Sequence, residues 1–425
     1  MRGAGGYWLR DRVSSMPHRS NGFAAGGKLY SRRTATLLFG VSLSFLATAS
    51  TAKPDPLTKE IVARSQLSAG NIDRLVRVFA KARRGEPITL GVIGGSITEG
   101  GIASAPQKSY AGLLLAWWRE KFPGCEVRMI NAGRGGTGSI YGALRAGKDL
   151  LSGLPDFVVV EFAVNDNWTD GEAYEGLVRQ ILAQPNSPAV LLLFMMWEQG
   201  GNDQAMQARI GAHYQLPMVS FRDALWPEMA AGRLRWSDYI VDTVHPNDAG
   251  HAVAARFVTE MLNKALDADA SASTIATALP APLNGDAFQF VRWREAADLD
   301  PIENENWSLT PDHGGVATWG PVGMSGRISF DWAGTGLVAV FTRTPDDLCR
   351  IRFSIDGNVP QSLDSSTQPR RRVVILAQGL APGPHTVRIE RLYDDGAVQA
   401  PVEDIRLVGL GSIGVAQNSN QRLGG

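Results

Sequence analysis

The sequence predicts two folded regions of different class: an α/β region whose parallel sheet is covered by helices on both faces, and then a C-terminal β-sandwich. Three observations carry this. Between residues 71 and 262, short continuous apolar segments alternate with amphipathic ones. Beyond residue 286 the pattern changes to short alternating strands punctuated by Gly, Pro, Asp and Asn. Between them, residues 265–285 are rich in Ala, Ser, Pro and Thr and read as a linker. A chain of 425 residues, 44% hydrophobic and 20% charged, is long and apolar enough for two such regions with separate cores.

Residues 1–52 read as an export signal. Ser31-Arg32-Arg33 precedes an apolar run from Leu37 to Ala49, followed by small residues at Ser50-Thr51-Ala52. The run is too short to span a bilayer of roughly 30 Å. Cleavage is expected after Ala52, with Ala49 as the alternative. The expectation is a periplasmic or secreted protein with no membrane span once the signal is removed. The whole chain has a net charge of 0; without residues 1–52 it holds 35 basic and 41 acidic residues. Neither balance suits a nucleic-acid partner. Two cysteines, Cys125 and Cys349, exclude a disulfide scaffold and a multi-cysteine metal site. No repeat period or heptad run is visible.

The elements follow in order. Asn71 caps a helix carrying Leu75, Val76 and Phe79. Strands are expected at 88–93, 127–130, 157–162, 190–196 and 218–221, with helices at 110–122, 174–182 and 249–262 between and after them. An α/β domain then covers 53–264. In the second region, 286–412, strands are expected at 327–332, 337–342, 350–355, 372–376 and 385–392, with turns at Asp356-Gly357 and Pro382-Gly383. Residues 413–425, polar and rich in Gln and Asn, are expected to be a disordered tail.

Chemistry-bearing residues fall where a parallel sheet presents its ligands, after the carboxyl ends of strands. Gly94-Gly95-Ser96-Ile97-Thr98-Glu99-Gly100 follows the first strand, and a serine after two glycines can sit on a tight turn with its N–H free. Residues 131–139, NAGRGGTGS, follow the second. Gly133, Gly135 and Gly138 formally match GxGxxG, but the motif follows the second strand rather than the first, and the position some twenty residues on falls near Leu154-Pro155-Asp156, before a strand rather than at its end, so a dinucleotide reading fits poorly. Ala163-Val164-Asn165-Asp166 follows the third strand; Asp166 is expected to cap the next helix. Of the five histidines beyond residue 52, His245 alone combines a carboxylate three residues before it, Asp242, with a helix-starting proline directly after it, whereas His213, His251, His313 and His385 do not. That spacing lets the carboxylate reach one ring nitrogen while the other faces outward.

In order and spacing these four segments resemble the SGNH/GDSL family of serine hydrolases, over residues 86–262. The resemblance implies a three-layer α/β/α, flavodoxin-like domain. It implies Ser96 as nucleophile, Asp242 and His245 as its partners, and an oxyanion hole made by Ser96, Gly136 and Asn165. It implies no metal and no cofactor. The sequence departs from the family pattern at Gly95, where Asp is usual, and at Ala163, where Gly is usual. The second region resembles the jelly-roll modules appended to bacterial carbohydrate esterases, on Gly334-Thr335-Gly336 and the stretch 380–390, LAPGPHTVRIE.

The expected activity is that of an exported esterase removing short acyl groups, O-acetyl above all, from a carbohydrate through an acyl-enzyme. Rivals are a lipase or arylesterase of the same mechanism, a polysaccharide O-acetyltransferase, and a non-catalytic glycan-binding protein. Trp168 and Trp197 are candidate substrate contacts, with packing at the rim as the equal alternative. Glu198, Asp223 and Arg134 read better as surface or capping residues. Sequence leaves the oligomeric state open.

Overall fold

The computed structural model describes residues 57–166, 171–267, 278–311, 315–323, 325–342, 350–363, 371–392 and 406–415. The export signal and most of the expected tail lie outside them, as do Trp168, His313 and residues 268–277 of the linker.

The first region is built on β1 (Gln66–Ser68), β2 (Ile88–Gly94), β3 (Val127–Gly133), β4 (Phe157–Glu161), β5 (Ala189–Phe194) and β6 (Met218–Ser220). Their order is β1-β6-β5-β4-β2-β3. The five expected strands pair in parallel, and β1, three residues long, adds an antiparallel edge on β6. Nothing in its short polar sequence signals a strand.

Nine helices flank or cap this sheet among the described residues: α1 (Lys59–Ser65), α2 (Asp73–Arg83), α3 (Ser96–Glu99), α4 (Tyr110–Lys121), α5 (Ser139–Asp149), α6 (Glu172–Leu182), α7 (Gln204–His213), α8 (Phe221–Ala230) and α9 (Asp248–Asp267). Alternation along the buried strands divides the core. Val159, Leu191 and Leu193 face α1, α2, α4, α8 and α9. Val158, Val160, Val190 and Leu192 face α5, α6 and α7. Both faces are dry, which is why β4 and β5 read as unbroken apolar runs. No helix among the described residues is long and apolar enough to cross a membrane.

The second region is all antiparallel. One sheet holds β9 (Trp307–Pro311), β10 (Ala317–Pro321), β17 (Arg406–Ile413), β12 (Gly336–Thr342) and β15 (Arg371–Ala377), with β7 (Val291–Glu295) also on β17. The other holds β8 (Glu303–Glu305), β11 (Gly326–Gly334), β16 (Gly383–Leu392), β13 (Arg350–Ile355) and β14 (Gln361–Leu363). Phe330, Trp332, Phe341, Phe353, Val387 and Ile389 fill the space between them.

The two regions do not have separate cores. In β12, Leu337, Ala339 and Phe341 face the sandwich interior, while Val338 and Val340 join Tyr141, Leu144 and Leu177 of α5 and α6 in one hydrophobic cluster. A strand dry on both faces explains the continuous apolar sequence GLVAVFT. Glycines set the spacing: a Cβ on Gly411 of β17 would come 2.4 Å from a Leu144 methyl, and one on Gly176 of α6 would come 2.4 Å from Phe288. The described part of the linker is tied down as well. Glu175 accepts the N–H groups of Leu283 and Asn284, each at 2.7 Å, and Arg179 donates to the Pro280 carbonyl at 2.7 Å. The expected tail starts too early: β17 runs to Ile413, and the N–H groups of Gly414 and Val415 bond to Ala287 and Phe290.

Candidate active site

The carboxyl ends of β2, β3 and β4 converge with the loop before α9. Gly94 closes β2 and Ser96 opens the one-turn helix α3, so its N–H is one of the donors that a helix start leaves unpaired internally. Gly94 is sterically required by the Glu161 carbonyl beside it, and Gly95 leaves room for the Asn165 side chain. A Cβ on Gly94 would come 2.1 Å from Thr98 Oγ1, and one on Gly95 would come 2.3 Å from Asn165 Oδ1. The Asn165 amide packs against Gly95, the position where the family pattern has Asp.

Ser96 Oγ lies 2.8 Å from His245 Nε2, and His245 Nδ1 lies 2.7 Å from Asp242 Oδ2. The other carboxylate oxygen, Oδ1, accepts the N–H groups of Val244 and His245 at 2.8 and 2.7 Å. Partial burial pushes the Asp242 carboxyl up, but the His245 and Val244 N–H groups and the His245 ring outweigh it and hold it down at about 2. A permanent carboxylate therefore faces Nδ1, fixing the tautomer with Nε2 free to accept the serine proton. The loop is braced from both sides: Trp236 Nε1 donates to the Asp242 carbonyl at 2.7 Å, and the Glu198 N–H to the Thr243 carbonyl at 2.7 Å.

The glycine segment after β3 lies over the serine. A Cβ on Gly135 would stand 3.7 Å from Ser96 Cβ. Gly136 follows in the left-handed conformation, φ +68°, and a Cβ on Gly138 would press on the Asn165 carbonyl at 2.8 Å. Asn165 Oδ1 is buried against Gly95 without a hydrogen-bond partner among the described residues, so Nδ2 is turned to the far side of the amide. Asp166 accepts the Ser139 N–H at 2.7 Å and Gln207 Nε2 at 2.9 Å. It thus caps α5, across the crevice, rather than the following helix α6; burial pushes its carboxyl up to about 7. Ala163 is fully buried and its carbonyl takes the Asp203 N–H at 2.7 Å, so a methyl group fits where glycine is usual.

Other candidates have structural partners. Trp197 is half-buried with its indole against Gly201, in the turn that braces Thr243. Glu198 is exposed, Asp223 pairs with Arg222, and Arg134 pairs with Asp149. His251 is buried under Tyr110 and Gly101. Trp168 lies outside the described residues.

Sequence reading missed three residues that build the site. Arg145 is fully buried in α5 and donates to the Ala132 carbonyl at 2.6 Å and the Gly94 carbonyl at 3.2 Å, binding the ends of β2 and β3 together. Glu161 is buried beneath the serine turn, and burial raises its carboxyl to about 8. It accepts from Thr98 Oγ1, which also bonds the Tyr110 hydroxyl at 2.8 Å. Glu99 accepts the Gly135 N–H at 2.9 Å. The acid in the β4 run was the one available signal; Arg145 and Glu99 look like surface charges in sequence.

With this geometry in hand, the comparisons are specific. The model of the GDSL-like lipase/acylhydrolase family matches residues 92–253, the span that holds every residue of the site. A two-domain esterase active on acetylated mannans superposes with a TM-score of 0.76 at 29% identity, over 84% of this chain and 99% of that one. A structure of such an esterase co-crystallised with mannopentaose gives 0.75 at 28%, over 84% and 98%. Both similarities run through the C-terminal β-region. A search of curated proteins found no match to the sequence. Residues 92–253 are a GDSL-like lipase/acylhydrolase domain, and the chain is a carboxylic ester hydrolase of that kind.

Proposed function

We propose that the protein is an exported serine esterase that removes O-acetyl or similarly short acyl groups from a carbohydrate, through an acyl-enzyme. The observation that carries this is the unbroken line from Ser96 Oγ through His245 to Asp242 at 2.8 and 2.7 Å. His245 Nε2 takes the serine proton as Oγ attacks the ester carbonyl, and then hands it to the departing sugar hydroxyl. The Asp242 carboxylate stabilises the imidazolium formed in between and takes no proton itself. The N–H groups of Ser96 and Gly136 and the Asn165 amide receive the oxyanion; each such donor is typically worth about 3 kcal/mol of transition-state stabilisation. Water deacylates the serine with His245 as base again.

Two considerations support a carbohydrate ester. The esterase of similar two-domain build acts on acetylated mannans, and residues 1–52 have the form of an export signal. Trp197, half-buried in the turn after β5, is the residue this reading assigns to the sugar, and Trp168, outside the described residues, is the second candidate from the sequence. The test is a hydrolysis profile over acetyl, butyryl and octanoyl esters and over acetylated mannan and xylan. Acetyl preference with release of acetate from a polysaccharide is expected. Preference for octanoyl esters would instead identify a lipase, and acyl transfer to sugar exceeding hydrolysis a transferase. Unchanged turnover in Ser96→Ala would overturn the mechanism. Detection of the mature chain outside the cytoplasm, shortened by residues 1–52, tests export.

A further inference from the structure

We propose that Glu99 is a positioning residue: its carboxylate fixes the Arg134–Gly135 peptide and thereby aims the Gly136 N–H at the oxyanion. The inference rests on the serine-esterase reading and deepens it. The loop from Arg134 to Gly138 carries two consecutive glycines, the residue type with the widest backbone freedom and the largest entropy loss on ordering. At Gly136 nothing constrains the chain sterically: φ is +68° and an added Cβ would meet no atom within 4 Å. Backbone hydrogen bonding must hold it instead. Arg134 N–H bonds the Gly94 carbonyl at 3.0 Å before the glycines, and Thr137 Oγ1 bonds the Arg134 carbonyl at 2.7 Å after them. Between these ties the Gly135 N–H donates to Glu99 Oε2 at 2.9 Å.

Glu99 is well placed for this. It closes the one-turn helix that Ser96 opens, so serine and tether share one rigid element. Its backbone is pressed against the end of β3, where a Cβ on Gly133 would come 2.1 Å from the Glu99 nitrogen. Asn131 Nδ2 holds the same junction by donating to the Thr98 carbonyl at 2.9 Å. Glu99 makes no ion pair among the described residues, so its carboxylate is not diverted to a cation. The bond it accepts orients the peptide next to the donor in question, and the reach of the side chain, rather than its charge, sets that position.

The test compares Glu99→Ala, Glu99→Asp and Glu99→Gln with wild type on 4-nitrophenyl acetate, reading kcat and KM separately, with thermal melting alongside. Ala and Asp, which lose the acceptor or its reach, should lower kcat about 10- to 100-fold, below the 10²–10³ typical of deleting an oxyanion donor. KM should stay within about threefold, since ground-state binding is untouched. Gln keeps an acceptor at the same distance and should recover most of the loss. Turnover of the Ala variant within twofold of wild type would overturn the proposal. So would activity in Asp but not in Gln, which would mean that the charge matters rather than the reach. A kcat loss that tracks a fall in melting temperature across all three would also overturn it. If the Ala variant does not fold, the Asp–Gln contrast decides alone. Persistent turnover in Ser96→Ala in the same assay would instead unseat the serine mechanism.

Discussion

Each of the two regions contains one Asp–His pair, and the pairs have the same length. In the α/β region His245 Nδ1 lies 2.7 Å from Asp242 Oδ2; in the sandwich His385 Nδ1 lies 2.7 Å from Asp356 Oδ2. Each aspartate also accepts backbone N–H groups, from Val244 and His245 in one case and from Thr386 in the other. The difference lies at the second ring nitrogen. His245 Nε2 meets a serine hydroxyl, which can donate or accept. His385 Nε2 meets the Ala381 carbonyl at 2.9 Å, which only accepts. With acceptors on both sides, the protonated ring, which donates from both nitrogens, is the favoured form of His385. Asp356 first, and the Ala381 carbonyl next, push its pKa up. Its ring stacks on Trp332 with centroids 4.7 Å apart, a favourable place for a cation. One pair stands where its ring can take a proton from Ser96; the other ties the turn after β13 to the start of β16. The carboxylate does not make a histidine catalytic; the partner of the opposite nitrogen does.

The largest expected effect separates the pairs by function. Ser96→Ala and His245→Ala should each lower kcat on an activated acetate ester by about 10⁴-fold or more, with little change in melting temperature. His385→Ala should leave kcat within about twofold and lower the melting temperature by several degrees. A His385→Ala variant as inactive as His245→Ala would erase the distinction. Next in size, Asp242→Ala should reduce kcat roughly 10- to 10⁴-fold, less than His245→Ala, because the carboxylate orients and stabilises but carries no proton. Equal losses in these two variants, both folded, would show that ordering to be wrong.

A coarser cut tests the shared core. Ending the chain after Asp267 would uncover Tyr141, Leu144, Leu177 and Val178, which the sandwich helps to bury. The shortened protein should be insoluble or melt about 10 °C or more below the full chain. Equal melting of the two would mean that the interface contributes little. The smallest effect is a pH signature. His385 has a raised folded pKa, so its stabilisation is complete below the ordinary value of 6.5 and is lost as pH rises through the folded value. The melting difference between wild type and His385→Ala should therefore be greatest below pH 6.5 and shrink above it. For Glu161, raised to about 8, the folded form is favoured below 4.5 and progressively less as pH climbs through 8. Glu161→Gln should then gain melting temperature over wild type at pH 9 but not at pH 4, as scanning calorimetry at the two values would show.

Much of the site was legible because its residues sit in short segments directly after apolar strands. Ser96, Asn165 and the Asp242–His245 spacing are local, and the structure brings all of them together at one crevice. What escaped notice acts across the chain. His385 and Asp356 are 29 residues apart, and Glu99 reaches Gly135 over 36. Helix α5, which carries Gly142, was not among the helices expected from the sequence. In the fold that glycine lets the Phe162 ring approach, since a Cβ would come 2.7 Å from it. Arg145 looked like a solvated charge on that segment, yet it is fully buried against two strand-end carbonyls.

By itself the sequence determined the two classes of region and the segments of the parallel strands, and it singled out the side chains proposed to react. Periodicity and local spacing are properties of neighbours along the chain, and they survive without knowledge of what packs on what. Only the tertiary structure decided that the regions share a core, because β12 must be dry on both faces and its second face has no partner within the sandwich. It also decided which Asp–His pair can take a proton. That depends on whether a hydroxyl or a carbonyl lies opposite the carboxylate, and folding alone brings Ser96 to one ring and Ala381 to the other.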